Sequence, residues 1–128
     1  MPVERIQPQG LPTPPTYSHV VKAGNTLYIA GQVAQSDRGE VIGRGDIAAQ
    51  AAQVFENLGK ALRSAGADYR NLVKITVFIT DPRFREAVSE VRSRYLQAGS
   101  LPASTLIVCA GLASPDYLLE VEGVAVID

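Results

Sequence analysis

The sequence has little cysteine, little histidine and no long apolar run. Its 128 residues include one cysteine and one histidine, too few for an internal disulfide or for the usual Cys/His zinc sites. No apolar stretch approaches the roughly 20 residues that a membrane-spanning helix needs. The N-terminal run MPVERIQPQG lacks the apolar segment of a secretory signal. These absences predict a cytoplasmic protein with no metal site and no membrane partner.

A strong excess of charge of either sign is also missing. Twelve basic residues face thirteen acidic ones, and the net charge is -1. Nonspecific binding to phosphate backbones depends on a basic field, so the composition does not favour nucleic acid as a partner. The apolar and charged fractions are those of an ordinary globular chain. A chain of this length buries roughly 68% of its unfolded surface, and we therefore predict one domain over residues 1–128.

Proline is concentrated at one end of the chain. Residues 2–16 hold five prolines, which prevent a regular helix and predict an extended N-terminal arm laid over the domain. The next residues are rich in β-branched and aromatic types, and they predict strands at 17–23 and 26–32 joined by a tight turn. The polar, glycine-rich run at 36–45 is then a loop.

Helical periodicity begins after Asp46. Apolar residues follow it at spacings of three and four, which predicts a helix with Asp46 as N-cap that ends at Gly66. The run LVKITVFIT at 72–80 alternates apolar and mixed positions, and so predicts a strand. Asp81 and Pro82 together predict the start of a second helix, which stops near Gly99.

Two further strands, at about 103–109 and 117–126, complete the order β-β-α-β-α-β-β. Two helices against five strands, without strict alternation, predict an α+β fold in which both helices cover one face of a mixed sheet. Leu106, Val108 and Val121 make strand faces too apolar to leave in water. We therefore predict a symmetric oligomer that buries them.

Five segments in this order resemble the YjgF/RidA family, also called the endoribonuclease L-PSP family. They are TLYIAGQ at 26–32, QAAQVFENL at 50–58, SAGADYRNLVKITVFITD at 64–81, PAS at 102–104 and LEVEGVAV at 119–126. The resemblance implies a chorismate-mutase-like subunit and a homotrimeric barrel with small-molecule clefts between subunits. It also implies an enzyme that hydrolyses reactive enamines and imines, such as 2-aminoacrylate, to the keto acid and ammonia without a cofactor.

The resemblance further implies a set of site residues. Deaminating members anchor the substrate carboxylate through an arginine in the motif Pro-Ala-Arg-Ser, whereas this chain reads Pro-Ala-Ser-Thr at 102–105. A neutral hydroxyl at Ser104 cannot donate the paired, charge-assisted hydrogen bonds of a guanidinium, so a substrate outside the family's usual range is expected. Glu120 aligns with the acid that positions or activates water. The expected substrate-binding residues are Tyr17, Gly31, Gln32, Ser104 and Thr105.

Several of these residues have an alternative structural interpretation. Glu120 and Glu122 lie on the same face of the last predicted strand, where a carboxylate pair can simply be solvated. His19 either shuttles protons or has a structural role, and the second is favoured. Cys109 is better interpreted as a small buried apolar residue than as a reactive thiol. Tyr17 can pack on the hairpin, and Gly31 can permit close strand contact.

Three functions remain open at this point. The first is a divergent imine or enamine deaminase, or a related hydrolase, that keeps the cleft and the water-positioning Glu120 but accepts a substrate without a carboxylate at that anchor. A separate hypothesis is that Arg44 or Lys74 replaces the missing arginine. The second is a non-catalytic module that binds a metabolite or a protein. The third, an endoribonuclease, needs paired acid-base groups and phosphate-binding charge, which the sequence does not offer.

Overall fold

Two helices pack against a six-stranded mixed sheet in the computed structural model, which describes residues 2–128. The strands are β1 (Val3–Ile6), β2 (Val20–Ala23), β3 (Thr26–Gln32), β4 (Leu72–Ile79), β5 (Ala103–Val108) and β6 (Leu119–Val126). The helices are α1 (Ile47–Ser64) and α2 (Arg85–Arg92). The α+β fold predicted from the sequence is confirmed.

The sheet has the order β1-β2-β3-β6-β4-β5. All neighbouring strands are antiparallel except β4 and β5, which run parallel and are joined through α2. Strand β1 adds a sixth strand to the predicted order and lies within the proline-rich arm, where it pairs with β2. It fits there because residues 3–6 fall between prolines and keep the backbone N–H groups that a strand needs.

The first helix has the predicted ends. The carboxylate of Asp46 accepts a hydrogen bond from the Ala49 N–H at 3.1 Å and so caps the N-terminus of α1. At the other end, Gly66 has a φ of 76°, a left-handed conformation that glycine adopts without steric cost. The N–H of Ala67 then donates to the carbonyl of Leu62 at 3.0 Å, which satisfies one of the last helical carbonyls.

The second helix is shorter than predicted. Asp81 caps a 3-10 turn over Pro82–Phe84, and α2 follows it and ends at Arg92 instead of continuing to Gly99. The Ser93 hydroxyl donates to the carbonyl of Glu90 at 2.6 Å and thereby competes with helical hydrogen bonding at the point where the helix stops. The chain from 93 to 102 therefore crosses to β5 as turns.

The core lies between α1 and one face of the sheet. Phe55, Leu58 and Leu62 of α1 are fully buried, as are the core-facing residues of β3, β4 and β6. Val121 is among them, so the prediction that it contributes to an exposed apolar face is wrong. Leu106 and Val108, by contrast, are 39% and 50% exposed on the edge strand β5. Leu106, Ile107 and Val108 thus form a continuous run of exposed apolar residues on β5, while other exposed apolar residues, such as Tyr28 and Val73, lie elsewhere on the sheet.

Candidate functional site

Gly31 and Glu120 meet at an irregularity in the sheet. The register between β3 and β6 shifts between Ile29 and Gln32, so that Ala30 and Gly31 form a β-bulge beside β6. A Cβ atom at residue 31 would lie 2.6 Å from Cδ of Glu120. A side chain at residue 31 would force the carboxylate of Glu120 to move, and with glycine there it lies directly against the bulge.

The carboxylate of Glu120 is half-buried and lacks a partner within the chain. It has no hydrogen bond or ion pair with any side chain or backbone group of residues 2–128. Burial raises its pKa, and the neighbouring charge of Glu122 on the same strand face raises it further. A carboxylate with a raised pKa and no internal partner is suited to accept a proton from a water or a ligand.

Tyr17 lies at the surface beside His19. Its side chain is 54% exposed, and its ring meets that of His19 edge-on with 5.8 Å between the centroids. Burial raises the pKa of Tyr117, and the nearby Tyr17 hydroxyl raises it further. The sequence interpretation missed Tyr117, whose only signal was its place two residues before β6. The two tyrosines offer hydroxyl groups on the same side of the molecule.

His19 and Gln32 lie behind the bulge and hold it in place. The His19 Nε2–H donates to the carbonyl of Pro12 at 2.8 Å, so Nδ1 is free to accept from the amide of Gln32 at 3.1 Å. The same amide donates to the carbonyl of Ala30 at 3.1 Å. Both side chains are buried. Gln32 thus links the N-terminal arm to the bulge through His19, and its contact with substrate stays a prediction. The hydrogen bonds of His19 agree with the structural role that the sequence favoured.

Ser104 and Thr105 point in opposite directions from β5. The register pairs Ser104 with Ile75, a buried core-facing residue, so Ser104 lies on the helix side of the sheet. Thr105 lies on the other side, where its hydroxyl accepts a hydrogen bond from Lys74 at 2.5 Å. Glu120 lies on the same face of the sheet as Thr105, because both pair with residues of β4 that point away from the core. One chain therefore does not bring Glu120 and Ser104 together.

Neither cation expected to replace the missing arginine lies beside Ser104. Lys74 is bonded to Thr105 on the other face, and Arg44 is exposed and lies 3.9 Å from Asp116. The cation next to Ser104 is Arg92, whose Nη1 donates to the Ser104 hydroxyl at 3.2 Å. The sequence interpretation missed Arg92 because only the β4-α2-β5 crossover brings the end of α2 beside the start of β5.

The single cysteine lies just after β5. Cys109 is partly exposed, and its Sγ lies 3.6 Å from the carbonyl of Ile79. Within residues 2–128 the structure contains no group of three or more His, Cys, Asp or Glu side chains that could hold a metal ion. Neither helix of this part of the chain is long and apolar enough to cross a membrane.

Comparison with known proteins agrees with this architecture. Residues 9–127 match the family described as Endoribonuclease L-PSP. A RutC family protein of Synechocystis sp. is 34% identical, with 99% of this chain and 98% of the relative covered. The 2-iminobutanoate/2-iminopropanoate deaminase of Mus musculus is 36% identical, with 86% of this chain and 80% of the relative covered.

Solved structures of the same family have the same fold as this chain. RidA from an Antarctic Psychrobacter species superposes with a TM-score of 0.89 at 33% identity, covering 97% of this chain and 99% of that one. A putative endoribonuclease from Thermotoga maritima superposes with a TM-score of 0.90 at 30% identity, covering 98% of each chain. Sequence and fold thus agree over nearly the whole length, and the chain belongs to the endoribonuclease L-PSP family, that is, the YjgF/RidA family.

Proposed function

We propose that this chain forms a homotrimer with small-molecule clefts between subunits, and that it hydrolyses a small imine or enamine there. The observation that carries the proposal is the half-buried, unpartnered carboxylate of Glu120 against the Gly31 bulge. Relatives that are named as deaminases of 2-iminobutanoate and 2-iminopropanoate support the reaction class. No cofactor is required, because a water molecule is the only other reactant.

Hydrolysis of an imine requires a base that takes a proton from water and returns it to the nitrogen. Water adds to the carbon of the C=N bond and gives a proton to Glu120, which passes that proton to the nitrogen to form the carbinolamine. Glu120 then takes the hydroxyl proton and transfers it to the amine, so that the C–N bond breaks, ammonia leaves and the C=O bond forms. The raised pKa of Glu120 suits both halves of this cycle, because the group must take up a proton and release it again.

The positions of Glu120 and Ser104 support a cleft made by two copies. These residues lie on opposite faces of one sheet, so a single chain cannot present both to one small ligand. The exposed apolar residues Leu106, Ile107 and Val108 lie on an edge strand, where a second copy would bury them. Assembly through β5 would place the face that carries Ser104 near a neighbouring subunit.

The replacement of arginine by Ser104 removes the family's usual carboxylate anchor, which favours a substrate outside the family's range unless another cation of the chain binds the carboxylate. It is also the observation that favours the alternative function, a binding module without catalysis, because a neutral hydroxyl gives up the charge that fixes a substrate in a reactive orientation. The two functions differ in what Glu120 contributes. In the deaminase its carboxylate acts on water, whereas in the binding module it affects affinity alone.

The test is ammonia release from freshly generated 2-iminopropanoate, with wild type, Glu120→Gln and Glu40→Gln compared. Glu40 lies in an exposed loop and serves as a control for the loss of one negative charge. We expect turnover in the wild type and in Glu40→Gln, and a fall of about a hundredfold or more in Glu120→Gln. A wild type without turnover toward this and related imines, or full activity in Glu120→Gln, contradicts the proposal. RNA cleavage in the same preparations would support the endoribonuclease instead.

A further inference from the structure

A groove separate from the Glu120 carboxylate lies between α2 and the segment that leads into β5. Its volume is about 450 Å³. The guanidinium of Arg92 and the hydroxyls of Ser89 and Ser93 line it on the polar side, and Leu96, Leu101 and Pro102 line it on the apolar side. A mainly apolar groove with one cation in its lining suits a small molecule with an anionic head and a short apolar tail.

The guanidinium of Arg92 lacks an acidic partner. Arg83 and Arg94 pair with Asp81 and Glu90, but Arg92 makes no ion pair with any carboxylate of residues 2–128. It is half-buried, and this burial lowers its pKa without a compensating anion. A partly desolvated cation without a counter-charge is unfavourable, and a bound anion would relieve that cost.

Ser104 orients this guanidinium. The hydrogen bond from Nη1 to the Ser104 hydroxyl uses one of the five donors of Arg92 and leaves the others for a ligand. Two adjacent N–H groups of a guanidinium match the two oxygens of a carboxylate, which gives bidentate binding with a defined direction. The short serine side chain thus accepts from the arginine and leaves the groove open.

We propose that Arg92 binds the carboxylate of the substrate and that Ser104 is the positioning residue that holds its guanidinium. The class of ligand is a short 2-imino or 2-oxo carboxylate with an apolar side chain, which Leu96 and Leu101 contact. The inference rests on the proposed function, since it supplies the carboxylate site for the same cleft. Arg92 and Glu120 then come from neighbouring subunits, because they lie on opposite faces of one chain.

The test measures the Kd of 2-oxobutanoate and of its neutral amide, 2-oxobutanamide, by calorimetry. The proteins are the wild type, Arg92→Gln, Arg92→Lys, and the control Arg94→Gln, which removes an exposed arginine two residues further on. We expect Arg92→Gln to weaken 2-oxobutanoate binding about tenfold or more, equivalent to about 1.4 kcal/mol. Arg92→Lys should be intermediate, Arg94→Gln should match the wild type, and no variant should alter amide binding.

The double variant Arg92→Gln with Ser104→Arg moves the guanidinium to β5 and should recover affinity for 2-oxobutanoate. Equal Kd values for the wild type and Arg92→Gln overturn the inference, as does an equal loss for the acid and the amide. The two proposals fail separately. If Arg92→Gln binds 2-oxobutanoate as tightly as the wild type while Glu120→Gln loses turnover, the Arg92 site is wrong and the deaminase proposal stands. If Arg92→Gln binds 2-oxobutanoate more weakly than the wild type but the wild type hydrolyses no imine, the deaminase proposal is wrong and the Arg92 site stands.

Discussion

The carboxylate of Glu120 occupies the space in which a side chain at residue 31 would begin. A Cβ atom there would lie 2.6 Å from Cδ and 2.9 Å from Cγ of Glu120, so the glycine and the acid are sterically coupled. The β-bulge that contains Gly31 brings the two strands into this relationship. The position of the proposed base thus depends on the absence of a side chain on the neighbouring strand.

Substitution of Gly31 by alanine should therefore displace Glu120. We expect Gly31→Ala to lower kcat/KM for imine hydrolysis about tenfold or more, because a shift of about 1 Å in a catalytic group is costly. Gly111→Ala is the control, since a Cβ there would meet no atom within 4 Å. Comparable kinetics for the two variants would show that the close approach has no catalytic importance.

The pH dependence of turnover should respond to Glu122. In the proposed reaction Glu120 acts as a base in its charged form, so kcat/KM should fall as the pH drops through the pKa of Glu120. Glu122 raises that pKa, and burial raises it more. We expect Glu122→Gln to move the acidic limb of the pH profile to lower pH without returning it to the range of an exposed glutamate. Glu40→Gln should leave the limb in place, and a limb that moves to higher pH contradicts this arrangement.

Charge introduced on β5 should prevent assembly. Leu106 and Val108 are exposed on this edge strand, and burying a glutamate among them in a subunit interface would be costly. We expect Leu106→Glu to shift the molecular mass in analytical ultracentrifugation from trimer to monomer and to abolish turnover. Val3→Glu changes a residue of similar exposure on the opposite edge of the sheet and should leave the mass unchanged. A trimeric Leu106→Glu would exclude β5 as the interface.

Mixed trimers should regain activity from two impaired parents, measured at a substrate concentration well below the KM of Arg92→Gln. If each cleft takes Glu120 from one subunit and Arg92 from its neighbour, Glu120→Gln and Arg92→Gln chains can complement each other. Random association at equal amounts should restore about a quarter of wild-type turnover, because each half of a cleft is intact with a probability of about one half. The measurement is ammonia release after joint refolding. Absence of any recovery would place both residues in the same subunit's site.

The hydrogen bonds of His19 should stabilise the arm. His19→Ala leaves the Pro12 carbonyl and one Gln32 donor without their present partner in a buried region. We expect a loss of about 1–3 kcal/mol in the free energy of unfolding in urea, at a fixed protein concentration. The double variant with Gln32→Ala should lose less than the sum of the single changes, because the residues share one network. Additive losses would contradict direct coupling.

Much of the fold followed from local patterns. The N-cap at Asp46 and the stop at Gly66 were predictable because capping depends on residues close in sequence. Strand alternation also identified Glu120 and Glu122 as residues of one face. The end of α2 was missed because the apolar spacing continues past the last helical residue, and Val121 was misplaced because alternation does not tell which face is covered.

The sequence by itself determined most of the elements, their order and the family, since periodicity, caps and segment spacing are local or linear properties. Tertiary structure alone decided the site. It placed Gly31 under Glu120 through a bulge between strands distant in sequence, and it brought Arg92 beside Ser104 through a parallel crossover. These relationships depend on strand register and on the packing of α2, which are set by non-local contacts that no pattern within one segment encodes.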